Sequence, residues 1–323
     1  MNSNFKATAY ALLAAVALSS ACKKVENGYL SNQIRYVDNP MEVKRGQIEQ
    51  TVAVSNDGSS APVVYKLLDI RDSSGHHADS LFASYSRYEW IGEFNPDTDT
   101  TVDLLNKKRQ LVNKPPFDFN IHTGAFTFYN TTTKVPLGKY DFDIQATNEN
   151  GTKTFKNIAS FTLVDDAPYV IGAGGAALFL DGTTTSYDIG APEVTIVKTS
   201  DEGTNIVLKI TDKNGKPFNP SAGEIIRRGD RSDFGTYAQF HPLVYTDSTM
   251  TCNFETTPFP LKQSTYGYLI YYRIPSQYVI ADPGYAPDNK QIYSANPRFQ
   301  FNIYQEGTYE VTVKVKRVTR DTN

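Results

Sequence analysis

Residues 136–148 read Pro136-Leu137-Gly138-Lys139-Tyr140-Asp141-Phe142-Asp143-Ile144-Gln145-Ala146-Thr147-Asn148. From Tyr140 onward, apolar and polar side chains alternate, the period of a strand with one face buried and the other wet. Just upstream, Phe119-Asn120-Ile121-His122-Thr123-Gly124-Ala125-Phe126 gives a strand, a glycine-containing turn and a second strand. Far downstream, Gly307-Thr308-Tyr309-Glu310-Val311-Thr312-Val313 repeats the form of Gly138 to Ile144. The echo is short, and it argues for an all-β class and no further.

Nearer the N-terminus, Ile34 to Val37, Gln47 to Val54 and Val63 to Ile70 are β-branched or alternating runs. They are separated by Asp38-Asn39-Pro40 and by Asn56-Asp57-Gly58-Ser59-Ser60, which is strand and turn chemistry. One helix is expected, over Thr101 to Gln110, with Thr100 as its N-cap and Lys107-Lys108-Arg109 in a last turn that favours cations. Pro115-Pro116 then stops it and opens an extended segment. Asp97-Thr98-Asp99 belongs with the start of that helix, because it lacks the longer acidic repeat and glycine of a calcium loop. Beyond Asp165-Asp166-Ala167-Pro168, the expected boundary, Glu193 to Val197, Asn205 to Ile210 and Tyr309 to Val315 are strand-like, and Asp212-Lys213-Asn214-Gly215 supplies a turn.

The chain has 323 residues, enough for two domains, and 21 Tyr, 18 Phe and 1 Trp to fill their cores. A net charge of -3 gives no general field for phosphates, so nucleic acid is not an expected partner. At the N-terminus, Lys6 precedes an apolar run from Ala7 to Leu18, too short to span a bilayer and of the right length for a signal peptide. The run leads through Leu18-Ser19-Ser20-Ala21 to Cys22, one of 2 cysteines in the chain. Two chemistries fit: cleavage with lipidation of Cys22, as the position of the cysteine at the cut suggests, or ordinary cleavage after Ser19-Ser20-Ala21. With Cys22 acylated, Cys252 has no partner and reads as a half-buried strand cysteine.

Leu18 to Cys22 resembles a bacterial lipoprotein box, which implies membrane attachment through an N-terminal lipid. The runs from Phe119 to Phe126 and from Pro136 to Asn148 resemble the closing strands of cadherin-like and bacterial immunoglobulin-like domains. The expected architecture is therefore all-β: two tandem immunoglobulin-like β-sandwich domains, residues 34–166 and 167–323, after a cleaved signal peptide (1–21) and a tether (22–33). Cadherin-like modules bind calcium with acids at their junctions, but Asn148 stands where an acid is expected, so no metal is carried over. The Cys22-Lys23-Lys24 start with the Tyr-rich second half resembles envelope lipoproteins of Bacteroidota-type bacteria, the group of Sus-type glycan-utilisation surface lipoproteins. That resemblance implies an outer-membrane lipoprotein serving a TonB-dependent uptake system, with a polysaccharide or an envelope protein as partner. Lys23-Lys24-Val25-Glu26 lacks the acids tied to surface export in that group, and the membrane face stays open.

Marked catalytic motifs are missing: there is no Gly-x-Ser-x-Gly elbow, His-Glu-x-x-His helix or Gly-x-x-x-x-Gly-Lys loop. No catalytic residue, metal ligand or cofactor is assigned. His76-His77-Ala78-Asp79 reads as a solvent loop, Gly172-Ala173-Gly174-Gly175-Ala176 as a strand edge or linker, and Arg228-Gly229-Asp230 as a polar turn. A hydrolase remains a minor alternative, since carboxylate pairs assemble from distant loops. What carries functional content is aromatic clustering: Phe82, Tyr85, Tyr88, Trp90 and Phe94 in one stretch, and Tyr266, Tyr268, Tyr271 and Tyr272 leading to Tyr278 and Tyr285. In a continuous strand Tyr266, Tyr268 and Tyr272 share one face and Tyr271 takes the other. Most of these rings belong to cores, while Trp90, Tyr271 and the loop residue Tyr285 are the candidates for stacking on sugar rings. The expected function is non-catalytic glycan binding, with a structural or protein-docking envelope module as the alternative.

Overall fold

The computed structural model describes residues 28–287 and 292–322. The signal peptide, Cys22 and the first half of the tether lie outside the described residues, as do Asp288 and Asn289 of the loop that carries Tyr285. The protein is all-β, and its buried apolar residues form two clusters, one spanning Leu30 to Leu163 and the other Ala176 to Val318.

The first cluster lies between two layers. One is a four-stranded sheet in the spatial order Met41–Lys44, Gly151–Val164, Gly138–Asn148, Val64–Asp72; the other is the small sheet Glu49–Gln50, Phe126–Phe128, Phe117–Phe119. Met41–Lys44 runs parallel to the end of Gly151–Val164, and the other pairings are antiparallel. The alternation read from Tyr140 onward points Tyr140, Phe142, Ile144 and Ala146 inward, each no more than 4% exposed. They meet Phe126, Phe128 and Phe161, and Phe126 lies 5.0 Å from Phe142 at a near-perpendicular angle. Each such ring contributes on the order of 1.5–3 kcal/mol by leaving water. The alternation has one fault. The register slips between Phe142 and Ile144, and Asn157 takes a positive φ of 48° opposite it. Asp143 stitches the slip: it accepts two hydrogen bonds from Arg71, at 2.5 and 3.0 Å, and one from the Asn157 amide at 2.7 Å. Burial pushes its carboxyl up, but these donors outweigh burial and hold it below the usual carboxylate range.

The second cluster is also enclosed by two sheets. One has the order Ser186–Asp188, Gly175–Leu180, Tyr293–Phe299, Ile270–Arg273, Ile226–Arg227; the other has Glu193–Ser200, Gly307–Lys314, Thr204–Thr211, Met250–Asn253, Val244–Tyr245. Tyr309, Val311 and Val313 are fully buried, as their alternation requires. Cys252 was expected half-buried; it is 2% exposed, packed in this core, and burial pushes its thiol up to about 12.

Several local expectations need correction. Ile34 to Val37 is not a strand: Arg35 makes a single bridge to Ser55. Of Gln47 to Val54 only Glu49–Gln50 pairs in a sheet. The helix is shorter than expected, Val102–Asn106, and its cap is Thr101, whose hydroxyl accepts from the Leu104 amide, not Thr100. Arg109 leaves it to open the strand Arg109–Lys114, paired antiparallel with Tyr85–Trp90 in a ribbon outside both sandwich layers. Asp99 does not start the helix; it is 4% exposed and accepts from the Asn95 amide. Tyr266 is not in register with Tyr272, because Gly267, with a φ of 68°, turns the chain before the strand begins at Ile270.

The chain passes from one cluster to the other without slack. Asp165 pairs with Arg45 at 3.2 Å and Asp166 with Lys44 at 2.9 Å, folding these acids back onto the strand Met41–Lys44 and its turn. The next strand, Tyr169–Ile171, pairs at once with Phe301–Ile303. Among the described residues no helix is long and apolar enough to cross a membrane.

Candidate functional site

The ribbon Tyr85–Trp90 and Arg109–Lys114 places Tyr88 opposite Leu111 and Trp90 opposite Arg109, so these four side chains share one face. Tyr88 and Trp90 are 49% and 43% exposed. Trp90 packs at a tilt against Phe94, 5.9 Å away, and Phe94 continues to Phe240 of the second half at 6.4 Å.

Arg109 ties this face down. Its guanidinium carbon sits 4.0 Å from the centre of the Tyr88 ring. The same guanidinium donates to the Asn106 side chain at 2.8 Å, to the Glu255 carbonyl at 2.6 Å and to the Glu255 carboxylate at 2.5 Å. The other carboxylate oxygen of Glu255 lies 2.7 Å from His241 Nε2. Burial raises the Glu255 carboxyl, and the hydrogen bonds from His241 and Arg109 reverse this and hold it below the usual range. Arg109 thus grips Glu255 by its backbone carbonyl and one carboxylate oxygen while His241 meets the other, which fixes geometry as well as charge. Tyr88 is thus a ring backed by a clamped cation.

Tyr88 and Leu111 form one wall of a cleft of about 430 Å³ between the two halves. Opposite them stand Lys198, Asp201, Gln305 and Glu306, with Arg45, Asn130, Thr131 and Lys134 completing the lining. Two contacts hold the walls together: Gln305 Nε2 donates to the Arg45 carbonyl at 2.7 Å, and Asn130 Nδ2 donates to Glu306 at 2.9 Å. Lys198 and Asp201 pair at 2.8 Å, which lowers the Asp201 carboxyl. Two lining residues carry buried polar atoms with no hydrogen-bond partner among the described residues, Thr131 Oγ1 and Arg87 Nε.

The three rings singled out in the sequence are not brought together. Trp90 is on the ribbon face beside the cleft. Tyr271 is 8% exposed, opposite Arg298 in its sheet and in edge contact with Tyr266 at 5.7 Å. Tyr285 is half-buried against the second core, with the Arg317 guanidinium 4.8 Å from its ring centre. Tyr88 stood in the aromatic stretch without being singled out. Its signal was the spacing of two to Trp90, which puts both rings on one strand face; nothing local pointed to the Glu255 clamp. His77 is committed to Asp69 at 2.7 Å and stacks on Phe82 at 4.5 Å.

No family model matches the chain, and no curated protein matches it. Among solved structures it is similar to a SusE-like surface-located polysaccharide-binding protein from the heparin utilisation locus of Bacteroides thetaiotaomicron. The identity is 10%, the TM-score 0.26, and the match covers 88% of this chain and 54% of that one. The chain spans about half the length of that protein, and at this TM-score the likeness carries no argument.

Proposed function

We propose that the chain is a non-catalytic glycan-binding lipoprotein, two tandem sandwich modules over residues 34–166 and 167–323, anchored through Cys22 to the outer membrane as an accessory to TonB-dependent uptake. The observation that carries the glycan reading is the Tyr88 ring, held from one side by Arg109 and half-exposed at the wall of a polar cleft. A flat ring offers the C–H face of a sugar an apolar surface, and the surrounding amides, carboxylates and ammonium groups offer its hydroxyls donors and acceptors. Affinity electrophoresis of residues 22–323 against plant, host and microbial polysaccharides tests this. Binding that Tyr88→Ala weakens by about tenfold supports it, in line with loss of a central aromatic anchor. No retardation by any polysaccharide sinks it.

A specific observation favours a second reading. Ile91 and Leu111, next to the same rings, are 58% and 62% exposed, and aliphatic exposure of that kind suits a protein partner better than a sugar. Pull-down from envelope membranes separates the two, since a stoichiometric protein partner lost in Leu111→Glu, with no glycan retardation, selects docking. The anchor has its own test: Cys22→Ala should release the protein from the detergent fraction, and an unchanged fraction at the processed mass rejects lipidation.

A further inference from the structure

The outer face of the sheet that contains Tyr293–Phe299 gathers more guanidinium groups than the carboxylates around it neutralise. Arg298 stands directly across from Tyr271 on one side and Gly175 on the other, so all three lie on one face, and Phe179, four residues along from Gly175, shares it. The loop that includes Arg228-Gly229-Asp230 folds over this face. Arg227 holds it closed, donating to the Arg231 carbonyl at 2.8 Å and the Asp230 carbonyl at 3.3 Å, while the Tyr271 amide donates to the Ser232 carbonyl at 2.8 Å. The loop thereby sets Arg228 over the Phe179 ring, 4.6 Å from its centre, and Arg231 over Tyr266 at 4.1 Å.

These cations rest on rings and backbone. Among the described residues Arg228 and Arg298 have no ion pair or hydrogen bond through their side chains, and Arg231 has only the 90% exposed Asp230 at 3.9 Å. Arg273, on the same face, is neutralised by Asp181 at 2.6 Å. Burial first, and then the charges of Arg231, Arg298 and Arg273, disfavour protonated Arg228, which reports how closely the group is packed. Gly175 makes room for one of them: a Cβ there would come 2.8 Å from Arg298 Nη2. In a chain of net charge -3, this is a local excess of positive charge with planar donors left over.

We propose that this face is a second binding site, separate from the cleft, for a polysaccharide bearing carboxylate or sulfate groups, with Arg228, Arg231 and Arg298 holding the anions. Arginine forks match both groups bidentately, and the rings beneath keep the forks oriented. The site does not rest on the Tyr88 reading, and the two fail separately.

Dextran sulfate and polygalacturonate serve as probes for sulfate and carboxylate, in titrations of residues 22–323 at rising salt. The parent should bind at least one of them, more weakly as salt increases. Arg228→Ala/Arg298→Ala should weaken that binding by about tenfold or more, since each lost contact is charge-assisted, and Lys139→Ala, which removes a cation from the first half that is paired with Asp141, should leave it unchanged. Gly175→Ala keeps the net charge and displaces Arg298, and should weaken binding by about threefold; its melting curve shows that the fold is retained. Equal binding by the double variant and the parent overturns the proposal, as does failure of both polyanions. Binding to phosphatidylglycerol vesicles without binding to either soluble polyanion overturns it in favour of a face turned to the membrane.

Discussion

Tyr140 and Tyr309 occupy the same place in two distant strands. Each follows a glycine by two residues, and Gly138 and Gly307 have φ of 143° and 146°, where a side chain is strained. Each ring is buried, and each hydroxyl donates to a carbonyl upstream, Tyr140 to Pro136 at 2.7 Å and Tyr309 to Gln305 at 2.9 Å. A tyrosine that bonds back to the backbone in this way marks corners where strands change layer. Their surroundings differ. A Cβ on Gly138 would meet nothing within 4 Å, but one on Gly307 would lie 2.7 Å from the Ser200 carbonyl. Pro136 accepts one hydroxyl and faces water, whereas Gln305 also reaches the Arg45 carbonyl and lines the cleft. The local motif sets one hydrogen bond, and the packing around it decides how much else depends on that bond.

Substituting the two glycines separates the two corners by the widest margin. Gly307→Ala should lose about 4 kcal/mol, backbone strain and overpacking together, against about 2 kcal/mol for Gly138→Ala, where strain acts alone. Urea midpoints give both values, and equal losses would mean that the crowding at Ser200 relaxes without cost. Next in size is the clamp that joins the ribbon to the second half. Arg109→Ala leaves Glu255, whose side chain is 19% exposed, with His241 as its remaining partner, and should cost about 3 kcal/mol. Hydrogen exchange should then quicken at Val311 and Val313 and stay unchanged at Phe142 and Ile144; the reverse pattern would place the junction's support in the first half.

Smaller still are the hydroxyls themselves. Tyr140→Phe and Tyr309→Phe should each lose about 1 kcal/mol, and only the second should weaken a ligand held in the cleft, because only Gln305 serves both. Affinity electrophoresis of the two variants side by side reads that difference. The least effect is on pH dependence. Glu255 and Asp143 both have folded carboxyls below their unfolded values of 4.5 and 3.8. Each contribution is fully present above its unfolded value and is lost as pH falls through the lower folded one. On acidification the Glu255 contribution therefore begins to fade below about pH 4.5 and that of Asp143 below about pH 3.8. Denaturant midpoints against pH for Glu255→Gln and Asp143→Asn should each flatten their own part of the acid limb.

The corners were legible because their information is local. Gly138 to Ala146 and Gly307 to Val313 carry both the alternation and the glycine that admits the turn, and neighbouring strands then pair where the pattern directs. The misread segments depend on partners far away in sequence. Arg109 has the right charge for the last turn of a helix, yet Glu255, 146 residues on, draws it into a strand. Ile34 to Val37 has the composition of a strand but pairs only once, at Ser55, so propensity without a partner strand leaves it irregular. Tyr266 was placed by a period of two that Gly267 interrupts. The cleft was the least legible feature, because Tyr88, Lys198 and Gln305 converge only after both cores have formed. The arginine face was half visible: Arg228-Gly229-Asp230 stood out as a tripeptide, while Arg298 and Gly175 join it through sheet register.

Cys252, sealed in the second core, can serve as a clock. In a chain that starts after Cys22 it is the sole thiol, and an alkylating reagent can reach it only when Met250–Asn253 parts from its neighbours. Labelling rates, followed by mass, therefore time the opening of the second sandwich alone. Run on the parent and on Arg109→Ala, the same measurement tells whether the two halves come apart before either one unravels.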